Sequence, residues 1–78
     1  MSRQMHIPTN DLPHCGQQII KRLLKAEKNQ KWLASQCGVH PSTITLIVLG
    51  KADPSLSLAR KICNILNCRI DDIFGNAE

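Results

Sequence analysis

The chain has no tyrosine, and Trp32 and Phe74 are its whole aromatic content. Its core must therefore be aliphatic, and the aromatic platforms on which single-stranded nucleic acids stack are missing. No stretch approaches the roughly 18 to 20 apolar residues that span a bilayer. The first residues also lack the apolar centre of a signal peptide. A soluble, cytoplasmic chain with no membrane partner is expected. Catalytic groupings are absent too: there is no Gly-rich phosphate loop and no spaced Ser, His and Asp set. Asp71 and Asp72 are adjacent, so on a helix they point apart and cannot share a catalytic proton. The expectation is a protein that is not an enzyme and takes no cofactor and no small-molecule ligand.

Four cysteines raise the question of a metal site. Cys15, Cys37, Cys63 and Cys68 contain no repeated C-x2-C or C-x4-C pair at zinc-binding distances, and His14 beside Cys15 is too isolated to complete a site. Free thiols used as small core residues in a reducing compartment are expected, with no metal.

What the chain does have is nine isoleucines and nine leucines in 78 residues. A chain of this length buries only about 60 % of its unfolded surface, which leaves room for one domain. The net charge is +4. Lys21, Arg22, Lys25, Lys28 and Lys31 fall close together with Glu27 as the single acid among them, whereas Asp71, Asp72 and Glu78 gather at the other end. One end of the fold should be basic, which suits a polyanion or simply solvates a helix face.

Residues 1–13 hold Pro8 and Pro13 without sustained periodicity and read as a flexible arm, in which Arg3 and His6 can touch a polyanion; residues 14–78 form the domain. From Gly16 to about Lys28, Ile19, Ile20, Leu23 and Leu24 share one side of an amphipathic helix. Asn29 is suited to cap a second helix from Gln30 to Cys37, which Gly38 ends. His40 and Pro41 open a third, running to about Leu49 before Gly50. Ser55 caps a fourth from Leu56 to Leu66, with Leu58, Ala59, Ile62, Cys63 and Leu66 on one face. Asn67 accepts the left-handed conformation needed to leave it. A last turn spans Ile70 to Phe74, with Asp71 and Asp72 at the positive end of its dipole.

The informative spacing runs through Gln30, Leu33, Ala34, Cys37, Gly38, Val39, Ile44 and Ile47. Ala34 is small where two helices cross, Gly38 makes a tight turn, and the apolar residues face a shared core. Two helices joined in this way form a helix-turn-helix, whose second helix projects far enough to enter a DNA major groove.

In this constellation the segment NQKWLASQCGVHPSTITLIVLGKADPSLSLARKICNILNCRIDDIF resembles the lambda-repressor-like proteins, the family of the phage Cro and repressor proteins. The carriers are Gln30, Ala34 and Gly38 at steps of four and eight, followed by Pro54, Ser55 and Leu56. The resemblance covers residues 16 to 74. It implies an all-α bundle of four to five helices and a sequence-specific DNA-binding regulator, a small repressor that places the third helix (41–49) in the major groove of double-stranded DNA as a homodimer. By the same resemblance Gln30 contacts a phosphate, with Thr43 and Lys51 near the backbone. Base reading falls to His40, Pro41, Ser42, Thr45 and Leu46. Cys37, Cys63 and Cys68 occupy positions where the family carries small apolar residues, and Trp32 occupies a variable position suited to packing. The last helix is the family's frequent dimer contact, which makes Ile70, Ile73 and Phe74 candidates; Phe74 equally suits a closing core residue.

The departure lies in the third helix, which from Pro41 to Leu49 carries no charge. Ser42 and Thr45 are its main hydrogen-bonding side chains, and Thr45 and Leu46 can pack on a thymine methyl. Two readings stay open. In one, affinity comes from Gln30, Lys31, Lys51 and the first-helix lysines, with weak apolar or shape readout. In the other, Leu46, Val48 and Leu49 form an exposed patch that docks a protein partner, as in an antirepressor or adaptor. Burial of Val48 and Leu49 would leave Leu46 alone in need of a partner. His40 is a lone histidine suited to cap a helix or meet a phosphate.

Overall fold

The computed structural model describes residues 12–75, which form five helices: α1 (His14–Lys25), α2 (Gln30–Cys37), α3 (Pro41–Val48), α4 (Leu56–Ile65) and α5 (Ile70–Phe74). The all-α expectation holds. Helix α1 packs on α3 and α5, α2 on α3 and α4, and α4 on α5. The core is aliphatic, as the shortage of aromatics requires. Its largest fully buried side chains are Ile19, Leu33, Ile44, Ile47, Ile62 and Ile73. Trp32 and Phe74 sit half-buried at its rim.

Local chemistry explains the helix starts. Asn29 accepts the Trp32 amide at 2.8 Å, and Ser55 accepts the Leu58 amide at 3.1 Å. Each satisfies a donor that has no partner inside its helix. At α5 the carboxylate of Asp72 takes the Arg69 amide at 3.0 Å.

The ends of α1, α2, α3 and α4 share one device. The amides of Lys28, Val39, Lys51 and Cys68 bond back to the carbonyls of Leu23, Ala34, Leu46 and Cys63 at 2.8 to 3.0 Å. The residue before each is left-handed: Glu27 (φ 61°), Gly38 (φ 75°), Gly50 (φ 78°) and Asn67 (φ 58°). This six-to-one closure satisfies carbonyls that the last helical turn would leave bare.

Several expectations are corrected. Helix α1 begins at His14, because the Pro13 carbonyl accepts the Gln17 amide at 3.0 Å, and it ends at Lys25 where Glu27 turns left-handed. Its buried stripe is Gly16, Ile19 and Leu23; Ile20 is half-buried and Leu24 lies in solvent at 70 % exposure. Of the arm expected over residues 1–13, residues 1–11, with Arg3 and His6, lie outside the described residues. Leu12, however, is buried in the core, and the Pro13 ring lies against Gly50. Val48 is 2 % exposed, because Gly16 brings the α1 backbone against the end of α3. A Cβ on Gly16 would stand 2.1 Å from the Val48 carbonyl oxygen. Ile73 is fully buried, so it closes the core and offers nothing to a second subunit.

All four thiols are free. Cys37 and Cys63 are buried, and Cys68 packs half-buried against the core. Burial raises the thiol pKa of Cys15 and of Cys37. The Cys63 thiol is pushed up to about 11, first by burial and then by its neighbour Cys68.

Candidate nucleic-acid interface

Gln30 opens α2, and the Asn29 cap fixes the direction in which it leaves the preceding turn. At the other end of α2, Gly38 takes the left-handed conformation and reverses the chain. A side chain there would meet nothing within 4 Å, so backbone conformation alone demands the glycine. His40 then caps α3: its Nδ1 accepts the Ser42 amide at 3.1 Å and lies 2.9 Å from the Ser42 hydroxyl. Pro41 fills the first helical position, where no amide is needed.

The inner face of α3 is Ile44, Ile47 and Val48. Its outer face presents Ser42, Thr45 and Leu46, all exposed, with Pro41 and Thr43 half-buried beside them. The Thr45 hydroxyl lies 3.1 Å from Gln30 Oε1 and 3.3 Å from the Pro41 carbonyl. Its single proton therefore serves acceptors inside the protein. The carbonyl end of Gln30 is engaged by Thr45, which leaves the Nε2 amide as its donor end.

Helix α3 itself carries no charge. Lys31 and Lys51 are exposed, one beside Gln30 and the other just past α3. Lys28 stands 5.2 Å from the centre of the Trp32 ring, which gives Trp32 a packing role at the start of α2. The nine side chains expected to touch DNA are thus all at least partly exposed, on α2, α3 and their flanks. The alternative patch does not form: Val48 is core, Leu49 is half-buried, and Leu46 stands alone at 42 % exposure. Ile70 and Phe74 are half-buried on α5. Among the described residues no group of three or more His, Cys, Asp and Glu could hold a metal ion, and no helix is long and apolar enough to cross a membrane.

Two features of the interface carried no sequence signal. The bond between Gln30 and Thr45 joins residues on different helices, and the shared use of His40 Nδ1 by both donors of Ser42 depends on the cap geometry.

The helix-turn-helix family model matches residues 19–73. An uncharacterized HTH-type transcriptional regulator of Archaeoglobus fulgidus is 44 % identical over 50 residues, covering 64 % of this chain and 70 % of its own length. A second from the same organism is 47 % identical over 45 residues, covering 58 % of this chain and 64 % of its own length. An uncharacterized HTH-type transcriptional regulator of Methanocaldococcus jannaschii is 49 % identical over 45 residues, covering 58 % and 68 % respectively. No solved structure matches the chain significantly.

Proposed function

This chain belongs to the lambda-repressor-like helix-turn-helix family, and from that premise we propose that it is a DNA-binding transcriptional regulator that lays α3 in the major groove. The observation that carries this reading is the outer face of α3, with Ser42, Thr45 and Leu46 exposed, Gln30 joined to Thr45, and Lys31 in the first turn of α2 and Lys51 just past α3 both exposed. An element this short touches few base pairs, so the protein works as a homodimer on two half-sites one helical turn apart. Ile70 and Phe74 on α5 are the surface proposed for that contact. It represses by occupying its site, in the cytoplasm beside the chromosome.

Gln30, Lys31, Thr43 and Lys51 take phosphates and set the register. The free amides at the start of α3, beside His40, favour a further phosphate. Binding of a duplex selected from a random pool, measured at several salt concentrations, tests the proposal. The logarithm of affinity should fall linearly with the logarithm of salt, by about 0.9 for each phosphate neutralised. The selected sites should carry paired half-sites. Failure to select any duplex, or salt-insensitive binding, would point instead to a protein partner.

A further inference from the structure

A six-to-one helix closure brings together the side chains of the two residues that it joins, and an apolar contact commonly forms there. At the ends of α1, α2 and α3 those residues are Leu23 with Lys28, Ala34 with Val39, and Leu46 with Lys51. At the end of α4 they are Cys63 and Cys68. The Cys68 amide bonds to the Cys63 carbonyl at 2.9 Å, and the Asn67 amide bonds to the Asn64 carbonyl at 3.2 Å, with Asn67 left-handed between them. A backbone bond this short holds the two Cα atoms no more than about 6.8 Å apart, within the range that disulfides span. The two thiols are in hydrogen-bonding contact.

Their surroundings differ, and the difference orders their chemistry. Cys68 is half-buried at the turn, whereas Cys63 is 2 % exposed. Arg22 on α1 lies close enough to Cys63 to favour its thiolate, and Arg22 Nε is buried with no acceptor among the described residues. The other thiols are placed elsewhere: Cys15 donates to the Ile47 carbonyl at 3.7 Å, and Cys37 is buried at the end of α2 with Lys61 nearby.

We infer that Cys63 and Cys68 form a modification site for low-molecular-weight disulfides, which oxidise the pair to an intramolecular disulfide across the end of α4. The Cys68 thiolate attacks one sulfur of the reagent, breaks its S–S bond and releases one thiolate, leaving a mixed disulfide on Cys68. Cys63 then loses its proton and attacks the Cys68 sulfur. The protein S–S bond forms, the mixed one breaks, and a second thiolate leaves. The two released thiolates take up the protons that the cysteines lose, so two electrons pass from the protein to the reagent, which departs as two thiols. Arg22 offsets the negative charge on Cys63 during the second attack. The ring closes over a turn already held by the backbone, so the oxidised chain keeps its fold, and the chemistry is independent of what α3 binds.

The test equilibrates the full reduced chain with mixtures of reduced and oxidised glutathione, in buffer and in denaturing urea. Free thiols are then blocked with a maleimide and the chain is cut with trypsin. Residues 62–69 form a single tryptic peptide that carries both cysteines. The ring appears as that peptide without maleimide and lighter by two hydrogens, while Cys15 and Cys37 carry the label. The folded chain should form it with an equilibrium constant at least about tenfold larger than the unfolded chain, since a bond that fits the native turn stabilises the fold. In Cys63→Ala the reaction should stop at a glutathione adduct on Cys68. In Cys68→Ala, Cys63 should resist glutathione in buffer and react in urea.

Equal constants in buffer and in urea overturn the inference, as does a folded wild-type chain that stops at the adduct. A first disulfide through Cys15 or Cys37 also overturns it. The comparison of folded with unfolded wild type decides the matter even where a cysteine variant fails to fold.

Discussion

Thr45 Oγ1 and Gln30 Oε1 lie 3.1 Å apart, a hydrogen bond that joins the first residue of α2 to the middle of α3. The pair is solvent-exposed, so its worth to folding is small, about 0.5 to 1.5 kcal/mol at most. Its larger effect is to leave the Nε2 amide as the free end of Gln30, the end that the proposed phosphate contact requires. Thr45→Val keeps the shape and removes the donor. It should leave the denaturation midpoint nearly unchanged and weaken duplex binding several-fold. An unaltered affinity would mean that the glutamine needs no such orientation.

Charge and orientation can be separated at the same interface. In the proposed complex Lys31 and Lys51 each neutralise a phosphate, so Lys31→Ala and Lys51→Ala should each reduce the salt slope of binding by about one. Gln30→Ala removes a neutral contact, so affinity should drop at every salt concentration with the slope preserved. A lysine variant whose slope matches the wild type would place that lysine away from the backbone.

Gly16 predicts an inverted sign. In an ordinary helix interior, glycine to alanine stabilises by roughly 0.5 to 1 kcal/mol. Here the new Cβ would lie 2.1 Å from the Val48 carbonyl oxygen, which is backbone and cannot swing aside. Helix α1 would have to lift away from α3, at the cost of about 1 to 3 kcal/mol typical of overpacking. Urea denaturation of Gly16→Ala should show a lower midpoint; a higher one would contradict the close approach.

That same contact explains what could be read from the sequence and what could not. The caps at Asn29 and Ser55, the turns at Gly38 and Asn67, and the bounds of α5 depend on residues within a few positions of one another, and local chemistry located them. The outer face of α3 is what the family resemblance implies, position by position. Whether Val48 is core or exposed patch stays open in the sequence because its burial is decided by Gly16, 32 residues earlier, and Ile73 reads as a dimer contact because nothing local separates one from a closing core residue. Leu24 was misplaced for another reason: its spacing suits the buried face, but α1 ends one residue later at Lys25 and no neighbour covers it. Glu27 gave no warning of a helix end, since its side chain has no preference for the left-handed conformation it adopts.

The turn at Glu27 leads to a paired prediction. A left-handed residue with a Cβ costs roughly 1 to 2 kcal/mol. Glu27→Gly should therefore raise stability by about 1 kcal/mol, while Gly38→Ala, with the same conformation and no neighbour within 4 Å, should lower it by a similar amount. Thermal unfolding of the two variants against the wild type checks both signs. A Glu27→Gly variant no more stable than the parent would mean that the carboxylate makes compensating contacts in the folded chain.

The Cys63 thiol ties stability to alkaline pH. In the unfolded chain it ionises near its ordinary value of 9.0, and in the folded chain near about 11, because burial and then Cys68 disfavour the thiolate. Below pH 9 both states hold the proton and the contribution is constant. Between 9 and 11 the unfolded chain releases it while the folded chain keeps it, so stability falls as pH rises. Lysines also titrate in this range, and a variant isolates the thiol. Cys63→Ala should be less stable at neutral pH for lack of a buried sulfur, yet lose less stability than the wild type between pH 8.5 and 10.5. Urea midpoints at those two pH values measure the difference. Parallel losses in the two proteins would show that the thiol titrates alike in both states, despite its 2 % exposure.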